Sequence, residues 1–344
     1  MNTNSIFNIN TTNTTTNLTI FSQIKLPWVE KYRPKISDDI ILDPFIKQKI
    51  DKILELKSIP NMIITGEPGT GKTSTIICLS KEIFKNNNIN ENVLELNASD
   101  DRGLSIINNK ILPFCKKKTK NNIIKLVILD EADSITNKAQ NLLSNIISEY
   151  RKNTRFVFIC NDCTQITESI QSRCMIIKYS KISKIDLFNK IKNICINESI
   201  IYNDIAINEL LFLSDYDIRQ SINNLECIHY SGLEFNENNI NIILDKPKPV
   251  YMNQILNYCL NGDLDNSINI IIKLYNKGYT PNDILLTFMK CLMDESKIDN
   301  NKINHEYILK IYEIISLTYI RVNGGIDTLL QLCGCISKIC LYLN

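Results

Sequence analysis

The chain has 344 residues, 44% of them hydrophobic and 22% charged, with a formal net charge of +2. Its length suits two or three domains with real cores, and no apolar run approaches the roughly 18 residues that cross a bilayer, so no membrane partner is expected. His229 and His305 share no motif, which argues against His-based zinc chemistry, and the near-zero charge confines any nucleic-acid contact to a local patch.

The composition is skewed: Ile occurs 62 times, Asn 45 times, and the 39 basic residues divide into 32 Lys and 7 Arg. Ile, Asn and Lys share A/T-rich codons, so nucleotide bias is the simplest cause. Each remaining Arg then asks for a reason that Lys cannot meet, such as a planar bidentate fork. Twelve Cys are too few for a disulfide scaffold and suit a reduced intracellular protein. Cys160-x-x-Cys163 and Cys333-x-Cys335 lie too far apart to form one zinc ribbon and read as small buried thiols.

Residues 1–24 are mostly Asn and Thr with scattered Ile. They lack a basic start, a continuous apolar core and a small-residue cleavage site, so a disordered tail is expected and not a signal peptide. The first strong motif is Gly66-Glu67-Pro68-Gly69-Thr70-Gly71-Lys72-Thr73, which fits G-x-x-x-x-G-K-T. It follows the apolar run Met62–Thr65 and precedes a helical pattern through Ile76, Leu79 and Ile83. That strand–loop–helix context is what a phosphate-binding loop requires. Backbone N–H groups and the helix N-terminus would face phosphate oxygens. Lys72 would reach the β- and γ-phosphates, and the Thr73 hydroxyl would hold Mg²⁺.

Next comes Leu126-Val-Ile-Leu-Asp130-Glu131-Ala-Asp133, an apolar run that ends in carboxylates. It reads as a buried parallel strand with acids at its C-terminal edge, where open α/β sheets bind ligands. Asp130 is placed to hold Mg²⁺, and Glu131 to act as the base toward an attacking water. The spacing of Ile135, Ala139, Leu142, Leu143, Ile146, Ile147 and Tyr150 predicts a helix over 134–150. Arg155–Asn161 predicts another buried strand, with Asn161 at its end able to hold the water opposite Glu131. Asp245-Lys-Pro-Lys-Pro249 should break any helix, and the remainder reads as helices separated by Gly or Pro, as at Lys277–Pro281.

Trp28-Val-Glu-Lys-Tyr-Arg-Pro34, the Gly66–Thr73 loop, Glu95-Leu-Asn-Ala-Ser-Asp-Asp-Arg-Gly103, Asp130-Glu-Ala-Asp133, Ser172-Arg-Cys174 and Asp217-Ile-Arg-Gln-Ser-Ile-Asn-Asn224 occur in this order. From about residue 26 onward this set resembles the small subunits of replication factor C, the AAA+ clamp loader. The resemblance implies an AAA+ αβα ATPase domain with a parallel sheet (25–180), a helical lid (181–245) and a helical collar (246–344), giving an α/β plus all-α chain. It implies ATP and Mg as cofactors. The partners it implies are the large and small subunits of a heteropentamer, a ring-shaped sliding clamp and primer–template DNA at replication sites, nuclear in a cellular eukaryote.

By that resemblance Arg173 is the finger that reaches the neighbouring subunit's ATP, and Arg219 touches the γ-phosphate in its own subunit. Val29, Tyr32 and Arg33 pack against the adenine, and Arg102, Lys110 and the run Lys116–Lys120 are candidates for DNA. Four of the seven arginines fall inside these motifs. The chain departs from the family at Ser144 and Asn145, where a pair of arginines is usual, at Asn108 and Leu112, and at Tyr216, where Gly is usual. Pro113 should end its helix early. The expected function is ATP-dependent clamp loading. The alternative is a subunit of the same assembly that binds nucleotide and lends Arg173 without hydrolysing ATP itself. A different AAA+ machine, such as an unfoldase, would need aromatic pore loops and no collar.

Overall fold

Five segments assemble into one parallel sheet in a computed structural model that describes residues 26–84, 89–100, 103–117, 124–293 and 305–343. The segment 1–24, Arg102, Lys118 and Lys120 lie outside the described residues. The strands are β1 (Met62–Gly66), β2 (Val93–Asn97), β3 (Lys125–Asp130), β4 (Thr154–Cys160) and β5 (Met175–Tyr179), in the spatial order β2-β3-β4-β1-β5. Successive side chains point to opposite faces, and both faces are covered, so the middles of the central strands β1, β3 and β4 are continuous apolar runs. Met62, Ile64, Leu126, Ile128, Val157 and Ile159 pack on one face against α1 (Pro44–Leu56) and α2 (Lys72–Ile83). Ile63, Val127, Leu129, Phe156 and Phe158 pack on the other against α3 (Asn137–Glu149) and the segment that carries Ile106, Ile107 and Ile111.

Helix α3 begins later than the expected residue 134. Ala132–Ser134 form a separate 3₁₀ turn, held where Ser134 Oγ donates to the Glu131 carbonyl at 2.8 Å. Of the expected stripe, Ala139, Leu143, Ile146 and Ile147 are buried, joined by Gln140 and Ser144, whereas Leu142 and Tyr150 are half-buried.

Pro113 does not end its helix. The segment runs as α-helix over Leu104–Ile106, as π-helix over Ile107–Ile111 and again as α-helix over Leu112–Lys116. The wider π turn gives the pyrrolidine ring room and shifts the bonding pattern where proline has no N–H to give. The far end of this helix is held from below. Lys125, the first residue of β3 and 2% exposed, donates Nζ to the carbonyls of Phe114 (2.6 Å), Cys115 (3.4 Å) and Lys117.

Helix α4 (Lys184–Asn197) starts at Ser183, whose Oγ accepts from the Asp186 N–H at 3.1 Å. Then follow α5 (Asp204–Leu213), α6 (Ile218–Tyr230) and α7 (Glu237–Ile243). Pro249 opens α8 (Pro249–Leu260), which precedes α9 (Leu264–Asn276). Pro281 opens α10 (Pro281–Met293), ahead of α11 (His305–Asn323) and α12 (Leu329–Leu343). Proline suits these first helical positions because its missing N–H would be unpaired there anyway.

The chain divides into two compact units. The first holds the described residues up to Ser199 together with Ser214–Glu226, and the second holds Ile200–Leu213 and the residues from Cys227 onward. In the second unit α5 packs on α7, and α8 packs on α9, α10 and α12, with α11 bridging α10 and α12. Among the described residues no helix is long and apolar enough to cross a membrane. The cysteines are free thiols: Cys160 and Cys335 are buried, and burial pushes each up to about 11.

Candidate active site

The C-terminal edge of the sheet is built by three strand ends. At the end of β1, Gly66 (φ 155°) runs so close to β5 that an added Cβ would meet the Tyr179 carbonyl oxygen at 2.7 Å. The loop turns through Gly69 (φ 78°) and Gly71 (φ 86°) into the N-terminus of α2, conformations that side chains strain to adopt. Lys72 opens α2 and is only 7% exposed. Its Nζ donates to the Gly66 and Glu67 carbonyls, both at 2.7 Å, and to Asn161 Oδ1 at 2.9 Å. Burial pushes the Lys72 ammonium below the usual lysine range, and Asp130 opposes that shift.

Asp130, at the end of β3, accepts through Oδ2 from Thr73 Oγ1 at 2.9 Å and through Oδ1 from the Glu131 N–H at 2.9 Å. A hydroxyl and a carboxylate side by side are the hard oxygen ligands that suit Mg²⁺. Glu131 holds a left-handed backbone (φ 52°, ψ 41°), uncommon for a residue with a side chain and common at functional turns. Its carboxylate is exposed and lines the same cavity.

Asn161 follows β4 and is fixed on three sides. Its N–H donates to Asp133 Oδ2 at 3.1 Å, its carbonyl accepts from Thr65 Oγ1 at 3.0 Å, and its Oδ1 accepts from Lys72. From the helical segment of the same unit, Asp217 caps α6 by accepting from the Arg219 and Gln220 N–H groups at 2.7 and 3.1 Å. Arg219 thereby enters the cavity wall.

Val29, Tyr32 and Arg33 reach the cavity from the helical turn Trp28–Lys31. That turn is pinned by Glu226, which accepts from the Trp28 N–H at 3.0 Å, and by Glu198, which accepts from Tyr32 Oη at 2.5 Å and from Lys31. Burial, aided by Glu198, raises the Tyr32 phenol above its ordinary value.

The cavity measures about 320 Å³, and Pro68, Gly69, Thr70, Gly71, Lys72, Thr73, Asp130, Glu131, Asn161 and Arg219 share its wall. Gly66 lies beneath the loop, and the Glu67 carboxylate turns outward to pair with Lys181 at 3.0 Å. Arg173 stands elsewhere: it precedes β5 by two residues, at the N-terminal edge of the sheet, whereas the cavity lies at the C-terminal edge. Lys110 is exposed on the π-helical turn, away from the cavity.

Sequence reasoning missed Glu198 and Glu226, and also the apolar wall of Ile40, Ile41, Ile182, Ile218 and Ile222. Of these, Ile218 and Ile222 carried a signal, since they lie four residues apart and flank Arg219 on one helix.

Residues 62–181 match the AAA family, the ATPase family associated with various cellular activities, and residues 247–338 match the replication factor C C-terminal domain. The chain is 36% identical over 318 residues to the probable replication factor C subunit 2 of Dictyostelium discoideum, covering 92% of each. It is 36% identical over 319 residues to replication factor C subunit 4 of Saccharomyces cerevisiae, covering 92% of this chain and 96% of that one. It is 31% identical over 315 residues to the replication factor C small subunit of Methanococcus vannielii, covering 91% and 98%. Among solved structures, the RuvB Holliday junction branch migration motor of Thermotoga maritima aligns with a TM-score of 0.52 at 15% identity, over 66% of this chain and 78% of that one. That likeness is one of fold. With similarity over about nine tenths of the chain, and with a phosphate loop, paired acids and a parallel sheet in the AAA+ arrangement, the protein belongs to the replication factor C small-subunit family and is an ATPase.

Proposed function

We propose that this chain is an ATP-hydrolysing small subunit of a clamp loader, in which ATP binding orders a ring of subunits that holds a sliding clamp open for primer–template DNA. Its partners would be the other small subunits and a large subunit, at sites of DNA replication, with an ATPase domain, a lid and a collar divided near residues 180 and 245. Lys72 and the backbone of Gly66–Thr73 hold the phosphates, and Val29, Tyr32 and Arg33 border the base. Thr73 and Asp130 hold Mg²⁺, which would supply charge neutralisation at the phosphates when bound. Glu131 takes a proton from water that Asn161 helps to orient, and Arg219 contacts the γ-phosphate. Arg102 and Lys110 are assigned to phosphates of the DNA backbone.

The observation that carries this reading is a division of labour within one chain. Lys72, Thr73, Asp130, Glu131, Asn161 and Arg219 meet around one cavity, while Arg173 sits at the other end of β5. A five-residue strand separates the two edges by about 13 Å. An arginine so placed serves a neighbour's nucleotide and not its own.

The test is to purify the assembled complex with its natural partners and to measure ATP turnover with a sliding clamp and primed DNA. Stimulation by both, and none by an unfolded protein, supports clamp loading over another AAA+ function. Glu131→Gln in this chain should lower turnover of the complex. An unchanged rate would favour the alternative, a nucleotide-binding subunit that only donates Arg173.

A further inference from the structure

Among the described residues, the side chain of Arg173 is held by hydroxyl and carbonyl oxygens. Its Nε donates to Ser148 Oγ at 3.0 Å, and its Nη1 donates to the Ser169 carbonyl at 2.7 Å and to Ser172 Oγ at 3.2 Å. Ser148 lies on α3, and its own proton is committed to the Ser144 carbonyl at 3.1 Å. Its oxygen is therefore left as an acceptor for Nε. Ser144 Oγ donates in turn to the Ser169 carbonyl at 3.3 Å, which ties α3 to the short helix Glu168–Gln171 that leads to Arg173.

A guanidinium has five N–H groups. Nε and Nη1 are engaged, whereas Nη2 bonds to nothing among the described residues. No carboxylate among the described residues lies within salt-bridge reach of Arg173 either. A carboxylate would orient the arginine but would also neutralise it. Neutral oxygens fix the plane of the fork and leave its charge available to an anion.

We propose that Ser148 is a positioning residue for Arg173, holding the guanidinium so that Nη2 faces the phosphates bound by the neighbouring subunit. The inference rests on the reading of Arg173 as a finger acting in trans. Preorganisation of this kind acts on the rate of the chemical step and not on binding of the ground state. Ser148 itself touches no reactant.

The experiment uses the assembled complex with Ser148→Ala, Ser148→Thr, Arg173→Ala and the Ser148→Ala/Arg173→Ala double variant in this chain. Single-turnover ATP hydrolysis is read together with KM and with nucleotide affinity of this chain's own site. Ser148→Ala should lower kcat by roughly 10-fold or more, the worth of one hydrogen bond from a charged donor, with KM and the chain's own affinity unchanged. Ser148→Thr keeps the acceptor and should restore the rate. On the Arg173→Ala background, Ser148→Ala should have no further effect. If Arg173→Ala is silent, the finger reading falls and takes this inference with it. If Arg173→Ala lowers kcat and Ser148→Ala does not, or if the two effects simply multiply, Ser148 does not act through Arg173 and only the inference is overturned.

Discussion

Asp217 stands directly against Gly69. A Cβ on Gly69 would lie 2.7 Å from Oδ2 and 2.8 Å from Oδ1 of that carboxylate, which also caps the helix carrying Arg219. The phosphate loop and the Arg219 helix are thus packed with no room for even a methyl group. Gly69→Ala meets two penalties, because the residue also sits at φ 78°. The backbone conformation alone costs about 1–2 kcal/mol for a residue with a side chain. We expect a lowered Tm and, because the loop must shift against Asp217, weakened ATP binding by filter or fluorescence titration. Wild-type affinity in Gly69→Ala would show that the loop and Asp217 are not coupled.

Variants at Lys72 and Glu131 should separate binding from chemistry. Lys72 is buried with three oxygen partners, so Lys72→Ala removes both the cation and the packing of the loop. Nucleotide binding should be lost. Glu131 makes its described hydrogen bonds through the backbone, so Glu131→Gln should leave the turn intact. ATP should bind with near-normal affinity while turnover at this subunit's site falls by roughly 10²–10⁴, the usual worth of a positioned base. Retained turnover at that site in the Glu131→Gln complex would reassign the base.

The difference between what could and could not be read from the residues is physical. The three central strands announced themselves as continuous apolar runs because both of their faces are buried. The edge strands β2 and β5 did not, since Val93–Asn97 is half-buried with polar residues interspersed, and Met175–Tyr179 carries an exposed Lys178. The phosphate loop and the acids of β3 were legible because their chemistry fixes both residue type and spacing. The contacts that hold the cavity together were not, because Tyr32–Glu198 and Trp28–Glu226 join residues 166 and 198 positions apart. Pro113 misled because a local rule against proline ignores a preceding π turn. Of the arginines that their scarcity singled out, Arg33 and Arg219 line the cavity wall.

The proposed Mg²⁺ site at Thr73 and Asp130 predicts a metal dependence. Their 2.9 Å hydrogen bond aligns the two oxygens on one side of the loop. Thr73→Val removes one oxygen ligand and leaves Asp130 Oδ2 without its donor, whereas Asp130→Asn removes the negative charge. Both should raise the Mg²⁺ concentration needed for half-maximal ATPase activity, Asp130→Asn by more, because charge dominates affinity for a hard cation. A magnesium titration at saturating ATP reads this directly. Equal Mg²⁺ requirement in wild type and Asp130→Asn would remove Asp130 from the metal site.

Lys125 links the strand that carries the acids to the helical segment Leu104–Lys116. Its buried ammonium satisfies the last carbonyls of that helix, at Phe114, Cys115 and Lys117, where the helix dipole also favours a cation. Lys125→Met keeps much of the volume and strands those acceptors. Leaving buried carbonyls unpaired should cost about 1–3 kcal/mol, seen as a lower Tm and faster amide exchange over residues 104–117. Burial also pushes the Lys125 amine below the ordinary lysine value of 10.5. In the window between its folded value and 10.5 the unfolded chain holds the extra proton, so the Lys125 contribution to stability grows as pH rises there. The stability gap between wild type and Lys125→Met should therefore widen with pH across that window. A gap that is constant or shrinks would mean that the amine is not desolvated in the folded chain.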